Sequence, residues 1–308
     1  MNVSAMPAIS VILPTHNRAR VLERSVRSVL EQTFDDFELI IVDDASTDDT
    51  PQLLSTIQDS RIRILRLDAN RGAAGARNAG IAAATADWVA FQDSDDVWLP
   101  DKLHSQYTLA RNSPPAVGLV LGGYLVDTPR GKVPIAPSQT LAGADSRLDL
   151  LDGWPIITPT WLVRREPLQR LRGFDQSYPC LEDWDLVFRL SDVCEVRAVP
   201  GPVLVKHGSL DSVCADQNRM RQSLERILSA HAHRWQGQPR RLARRLAHLG
   251  CLQFRAGLRP QARRSLCRAV QNDMGSPAPY GLLLSSLAGP RVLRAAARLW
   301  PRYSGMTP

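Results

Sequence analysis

Four short apolar runs rich in β-branched residues alternate with stretches of helical periodicity over the first hundred residues. That alternation restricts the chain to very few folds. Ile9–Pro14 reads as a first buried strand, followed by the turn Thr15-His16-Asn17-Arg18. Val21, Leu22, Val26, Val29 and Leu30 then mark one face of a helix running to about Gln32. Phe37–Val42 reads as the second strand, and Ser46 or Thr47 as the cap of the helix after it. Residues 61–67 alternate as a half-exposed third strand. The Ala/Gly-rich helix 73–84 and the apolar run 87–91 complete a β-α-β-α-β-α-β order. Such an order predicts an α/β fold with a doubly wound, mostly parallel, right-handed sheet flanked by helices.

Two acidic clusters fall where strands of this sheet end. Asp43-Asp44 follows the second strand, and Asp93-Ser94-Asp95-Asp96 follows the fourth. Ligands of parallel α/β sheets bind outside the carboxyl ends of the strands. Carboxylates crowded within four positions raise one another's pKa unless a cation sits among them, and a hard divalent ion that also grips phosphate oxygens suits them. As bare residue types the same acids also suit an acidic turn before the helix that opens near Leu99-Pro100-Asp101. Two clusters converging on one sheet edge favour the ligand reading.

Beyond Leu103 the pattern loosens. Residues 117–126 and 161–163 read as strands, 128–132 as a turn and the stretch to residue 144 as loop. Trp184, Val187, Phe188 and Leu190 suit a helix with Glu182, Asp183 and Asp185 in its first turn, and 193–205 reads as two short strands around Pro200-Gly201-Pro202. From about Gln217 the chain turns helical and basic. From Arg219 onward there are 17 Arg, no Lys and two acids, whereas the first 218 residues hold 21 basic and 29 acidic side chains. Such asymmetry implies two regions with different partners.

The strings S-V-I-L-P-T-H-N (residues 10–17), F-E-L-I-I-V-D-D-A-S-T-D (37–48), N-R-G-A-A-G-A-R-N-A-G (70–80) and D-S-D-D (93–96) together resemble the family 2 glycosyltransferases. Gly173-Phe174-Asp175 and Glu182-Asp183 extend the resemblance, which covers roughly residues 8–210. It implies a GT-A fold over 1–215, with a nucleotide-sugar-binding half at 8–110 and an acceptor-binding half at 111–215; the Arg-rich α-helical region at 216–308 lies outside the resemblance and is read from its own residues. It also implies inverting, metal-dependent transfer from a nucleotide-diphosphate sugar, expected to be a UDP-sugar, to an acceptor hydroxyl in polysaccharide or glycolipid synthesis. Carried over by position, Pro14, Thr15, Asn17, Asp43, Asp44, Arg77, Asn78 and Asp93 line the nucleotide. Asp95, with Asp93 and His207, faces a Mg2+ or Mn2+ ion, and Asp183 is the general base. The alternative is a family member that binds nucleotide sugar or a partner without transfer.

Asp44 also suits a helix cap, and Asp183 a first-turn acid, a role for which Glu182 and Asp185 are equally placed. Trp154, Trp161 and Trp184 read as core residues, and Trp98 as a packing candidate beside the donor. A sugar-phosphate nucleotidyltransferase would carry a Gly-rich loop after the first strand, where this chain has Pro14-Thr15-His16-Asn17. Five Cys without regular spacing fit a reducing compartment. No signal peptide or membrane-spanning run is evident, so the expectation is a cytoplasmic protein, peripheral on the inner face of the cell membrane. The expected partners are the nucleotide-sugar donor, a saccharide or lipid-linked acceptor, and an anionic membrane surface at the basic helices. No nucleic-acid module is recognisable, and nothing in the sequence sets an oligomeric state.

Overall fold

The computed structural model describes residues 6–129, 131–135, 157–207 and 216–300. The chain forms two compact units: Met1–Gln176 with Glu182–Leu210, and Ser177–Leu181 with Asp211–Pro308.

The first unit opens with β1 (Ile9–Thr15), α1 (Leu22–Leu30), β2 (Phe37–Asp43), α2 (Thr50–Thr56), β3 (Ile62–Arg66), α3 (Gly72–Ala83) and β4 (Trp88–Phe91). These four strands pair in parallel, as the β-α alternation requires, and lie in the order β3-β2-β1-β4. β1 and β4 are buried along their whole length, which explains why both read as continuous apolar runs. The apolar stripe of α1, with Leu22, Val26 and Val29, packs into the same core as Val11, Leu13, Leu39 and Ile41. Each such side chain contributes about 1.5–3 kcal/mol on burial.

The sheet then continues with mixed polarity. β5 (Val97–Trp98) and α4 (Lys102–Arg111) precede the long β6 (Val117–Thr128), which turns back as β7 (Gly131–Ile135). After β8 (Leu162–Arg164) and α5 (Arg165–Arg170) come α6 (Glu182–Val193) and β9 (Glu195–Lys206). β8 runs antiparallel to both β4 and β6, and β9 pairs parallel with β6 and antiparallel with β5. Two expectations change here. Residues 195–206 form one strand, not two, because the register shifts against β6 and Gly201 at φ +82 absorb the Pro200-Gly201-Pro202 irregularity. Residues 131–135, read as the end of a turn and loop, form a hairpin strand; the rest of that loop and Trp154 lie outside the described residues.

Trp161 is fully buried and stacks on Phe174, with Phe91 edge-on to both rings. Trp184 packs on Phe188. Trp98 is core as well, lying under the Lys102 ammonium rather than at a ligand surface. Lys102 is buried, donating to Gln106 Oε1 and the Trp161 carbonyl.

Gly173 adopts φ +64, and a Cβ there would collide with Asn78 Oδ1, which accepts the Phe174 N–H. Gly173→Ala is therefore expected to cost about 1–3 kcal/mol. A midpoint of thermal unfolding unchanged from wild type would contradict this.

The second unit contains α7 (Gln217–Ala230), α8 (Pro239–Arg255), α9 (Arg259–Asn272), α10 (Pro277–Ala288) and α11 (Pro290–Leu299). Leu246, Phe254, Leu266, Leu282 and Leu293 form its core. Gln253 ties three helices together, donating to Glu225 on α7 and accepting from Ser265 on α9. Cys180, Cys194, Cys251 and Cys267 are not in disulfides, and burial pushes Cys251 up to about 11, so it is inert at neutral pH.

The half-buried His248 ring on α8 has its pKa pushed down to about 3, first by burial and then by Arg245 and Arg255. In the unfolded chain the imidazole protonates near its ordinary 6.5. Stability is thus undiminished above pH 6.5 and falls as the pH drops toward 3. His248→Gln is expected to flatten this acid loss in thermal scans; parallel pH profiles for variant and wild type would refute it.

Candidate functional site

The register of the parallel strands aligns their carboxyl ends. Thr15 lies opposite Asp43, and Phe91 opposite Ile12, so the loop beginning at Gln92 emerges beside the turn after β1. Gln92 N–H donates to the Ile12 carbonyl at 2.9 Å, extending that pairing by one residue.

The first half of the site joins the turns after β1 and β2. Asp44 N–H donates to the Thr15 carbonyl, and its buried carboxylate accepts the Arg71 N–H at 2.7 Å. Asp43 accepts the Ser46 N–H at 3.0 Å, with Arg66 Nε 3.7 Å away. Asn17 and Ala45 both adopt left-handed backbone angles, φ +53 and +56. The Asn17 side-chain oxygen accepts the N–H groups of Thr47 and Asp48, and its own N–H donates to Ser46 Oγ. These bonds hold the strained turn, and strain held this way clusters at ligand sites. They also reassign Ser46 and Thr47, expected as helix caps: α2 starts later, at Thr50, whose N–H is met by Asp48. His16 is a turn residue, its Nδ1 2.8 Å from the Asp44 carbonyl. Thr15 Oγ1 is buried and makes no hydrogen bond among the described residues.

The second half is the acidic loop after β4. Its backbone is pinned from α1, where Ser25 Oγ donates to the Asp93 carbonyl and Arg24 to that of Asp95. The carboxylates are left to face a cluster of charges. Asp93 accepts from Arg77 Nη2 at 2.8 Å. Arg77 is buried and its Nη1 donates to Glu182 at 2.9 Å, while the guanidinium lies over the Phe174 ring. Burial works against this cation, but Asp93, Glu182 and Asp183 outweigh it and raise its pKa. One arginine on α3 thus ties the loop after β4 to the first turn of α6, reaching Glu182 105 residues further along the sequence. Asn78 reinforces the link by bonding both the N–H and the carbonyl of Phe174.

The three acids opening α6 take different roles. Glu182 pairs with Arg77, and Asp185 with Arg189 at 2.7 Å. Asp183 lies between them, its Oδ1 accepting the Trp184 N–H. Its charge reaches Arg77, Lys206 and Tyr124, which places it in the electrostatic neighbourhood of the acidic loop.

Asp96 and Lys206 are the residues that sequence reasoning left without a role. Asp96 is fully buried, accepts the His207 N–H at 3.0 Å, and has Lys206 Nζ 4.0 Å from its other oxygen. Burial, with Asp93 and Asp95, pushes its carboxyl up to about 7 against the pull of Lys206. Asp95 is raised too, by burial and then by Asp93. For Lys206, burial is outweighed by Asp96, Asp93, Asp95 and Asp183, which raise its pKa. The third acid of D-S-D-D and the basic residue before His207 were the available signals. His207 itself has Nδ1 3.1 Å from Asp127, leaving Nε2 as its ring atom for a ligand.

Among the described residues, no group of three or more His, Cys, Asp or Glu side chains is gathered into a metal cage. The donors that do converge are hard carboxylate oxygens whose pKa values are raised first by burial and then by one another. That set fits Mg2+ or Mn2+, ions that take one or two carboxylates and complete their shell with water and phosphate oxygens.

Comparison with known proteins adds the family. The chain is 43% identical over 101 residues to the succinoglycan biosynthesis protein ExoO of Rhizobium meliloti, covering 33% of this chain and 29% of that protein. It is 40% identical over 101 residues to the Escherichia coli UDP-Glc:alpha-D-GlcNAc-diphosphoundecaprenol beta-1,3-glucosyltransferase WfgD, covering 33% of this chain and 40% of that protein. The matches therefore span well under half of these curated relatives. Among solved structures, Staphylococcus aureus TarS 1-349 in complex with UDP-GlcNAc superposes with a TM-score of 0.63 at 19% identity, covering 96% of this chain and 91% of that one. The mannosyltransferase PcManGT from Pyrobaculum calidifontis, in complex with GDP-Man and Mn2+, superposes with a TM-score of 0.62 at 22% identity, covering 98% and 84%. These likenesses establish the GT-A fold. With the model for glycosyl transferase family 2 matching residues 10–172, more than half of the chain, this protein belongs to that family.

Proposed function

We propose that this chain transfers a sugar from a nucleotide-diphosphate sugar, a UDP-sugar, to an acceptor hydroxyl on a saccharide or lipid-linked substrate in polysaccharide or glycolipid synthesis. The observation that carries the proposal is the Arg77 bridge, which brings the α6 carboxylates to the acidic loop after β4. The WfgD relative, named for a UDP-Glc donor and a diphosphoundecaprenol-linked acceptor, supports the same substrate classes.

Each residue has a task in this reaction. Pro14, Thr15, Asp43 and Asp44 form the rigid floor for the nucleoside, with the unpaired Thr15 hydroxyl offered to it. Asp95 and Asp93 would hold the divalent ion, which when bound would neutralise the diphosphate and the charge developing on it. Asn17, Arg77 and Asn78 act at one remove, bracing the loops that carry the ligand-facing groups. Asp183 accepts the acceptor's proton as its oxygen bonds to the anomeric carbon and the carbon–oxygen bond to the diphosphate breaks. Attack from the face opposite the leaving diphosphate inverts the anomeric centre. The nucleoside diphosphate departs, and no covalent sugar–enzyme intermediate is required.

The test is nucleotide release from a panel of sugar nucleotides with Mn2+, with Mg2+ and with EDTA, alongside Asp95→Ala. Turnover of one donor, lost with EDTA and in the variant, is the expected result. Metal-dependent binding without turnover on any acceptor would point to a non-transferring family member instead. Neither binding nor turnover would overturn the assignment of the acidic loop.

A further inference from the structure

The last two helices carry an exposed pattern that the transfer reaction does not use. Tyr280, Leu284 and Leu287 recur at helical spacing along α10, on the side away from its buried Ala278, Leu282 and Ser286. Leu284 and Leu287 are 65% and 59% exposed. Single exposed leucines are ordinary on a soluble protein, but a stripe of them on a helix without a charged residue is not.

α11 continues the pattern with a second kind of side chain. It buries Leu293, Ala296 and Ala297 and exposes Arg291, Arg294 and Arg298, together with Val292 and Leu299, the last 73% exposed. From Met274 to Trp300 the chain contains three arginines and no acid. The two helices are clasped: Gly281 on α10 leaves the space that the Trp300 ring fills, and a Cβ there would collide with it. Apolar stripe and arginines therefore belong to one rigid hairpin. Arg294 and Arg298 also flank, with Arg255, a cavity of about 510 Å3 floored by Phe254, Leu293 and Ala297. No carboxylate is among the described residues lining it.

We propose that the α10–α11 hairpin is a docking surface for an anionic lipid bilayer. Tyr280, Leu284 and Leu287 enter the interfacial layer, and Arg291, Arg294 and Arg298 pair with lipid phosphates. Charge complementarity singles out this occupant. The region from Arg219 onward carries 17 Arg against two acids, which repels a second copy of itself and attracts an anionic surface. An amphipathic element with basic residues beside an apolar face lies in the membrane interface without crossing it. No helix among the described residues is long and apolar enough to span a bilayer. On the reading above, docking would hold the enzyme at the surface where lipid-linked acceptors reside.

The experiment is co-sedimentation of the full chain with vesicles of phosphatidylcholine, with and without about one third phosphatidylglycerol, at low and high salt. The wild-type protein is expected to bind the anionic vesicles, and to lose at least about tenfold in affinity on neutral vesicles or at high salt. L284S/L287S is expected to lose about tenfold or more, and R291Q/R294Q/R298Q to lose its preference for anionic lipid. All these side chains are exposed, and unchanged thermal unfolding of the variants confirms that they fold. Equal binding to neutral and anionic vesicles, or variants that bind as wild type, would overturn the proposal. So would a solution dimer that L284S/L287S dissociates while vesicles are not bound, since a second copy would then be the occupant. Vesicle binding needs neither donor nor acceptor, so its loss and the loss of transfer are read independently.

Discussion

Asp183→Asn is expected to lower the transfer rate by about 10²–10⁴-fold, the range in which a positioned general base contributes. Donor affinity and thermal stability should be unchanged. Asn keeps the side-chain oxygen that accepts the Trp184 N–H, so the first turn of α6 retains its local bond. What disappears is the ability to take a proton. Glu182→Gln supplies the contrast, because Glu182 faces Arg77 and weakening that ion pair acts on the position of α6. Asp183→Asn should therefore reduce kcat with KM for donor near wild type, whereas Glu182→Gln should lower the unfolding midpoint. Equal activity losses in the two variants would refute the assignment of Asp183 as base.

Arg77→Met is the second large effect. It leaves Asp93 and Glu182 facing each other without the cation that bonds both at 2.8 and 2.9 Å. Breaking a buried ion pair from one side typically costs about 3–5 kcal/mol. Here the two carboxylates keep 25% and 17% of their side-chain surface in contact with solvent, so water recovers part of that. The net cost is expected at about 2–3 kcal/mol, a fall of roughly 5–10 °C in unfolding midpoint for a unit of this size. Transfer should fall further than stability explains, because this guanidinium holds Asp93 directly and, through Glu182, the helix turn that carries Asp183. Arg77→Lys should recover only part of the loss, since one ammonium lacks the planar fork that reaches two carboxylates. An Arg77→Met protein that unfolds with wild type would show that the bridge is not needed to join the acidic loop to α6.

The placement of Asp43, Asp44, Asp93 and Asp95 at one sheet edge was legible because it follows from strand ends, and strands are read from local apolar periodicity. Asn17 and Asn78 were legible as important positions but not for what they do. Both amides bond backbone groups of distant segments, Asn17 at Thr47 and Asp48, Asn78 at Phe174. The third acid of D-S-D-D did not show by itself what Asp96 would do, since its raised pKa comes from burial and then from Asp93 and Asp95, opposed by Lys206, 110 positions away.

The β-α alternation by itself determined that the first four strands run parallel and that both acidic clusters fall at their carboxyl ends, whereas the order β3-β2-β1-β4 came from the tertiary structure. The Arg-rich composition likewise marked the helical end of the chain before any coordinates. Only the tertiary structure decided that β8, β6, β9 and β5 extend this sheet with mixed polarity, because pairing partners are absent from the pattern of a single strand. It also decided that Glu182 pairs with Arg77 and Asp185 with Arg189, while Asp183 accepts the Trp184 N–H. Three acids in one helical turn are chemically near-equivalent until Arg77 and Arg189, brought in from separate elements, engage the first and the third.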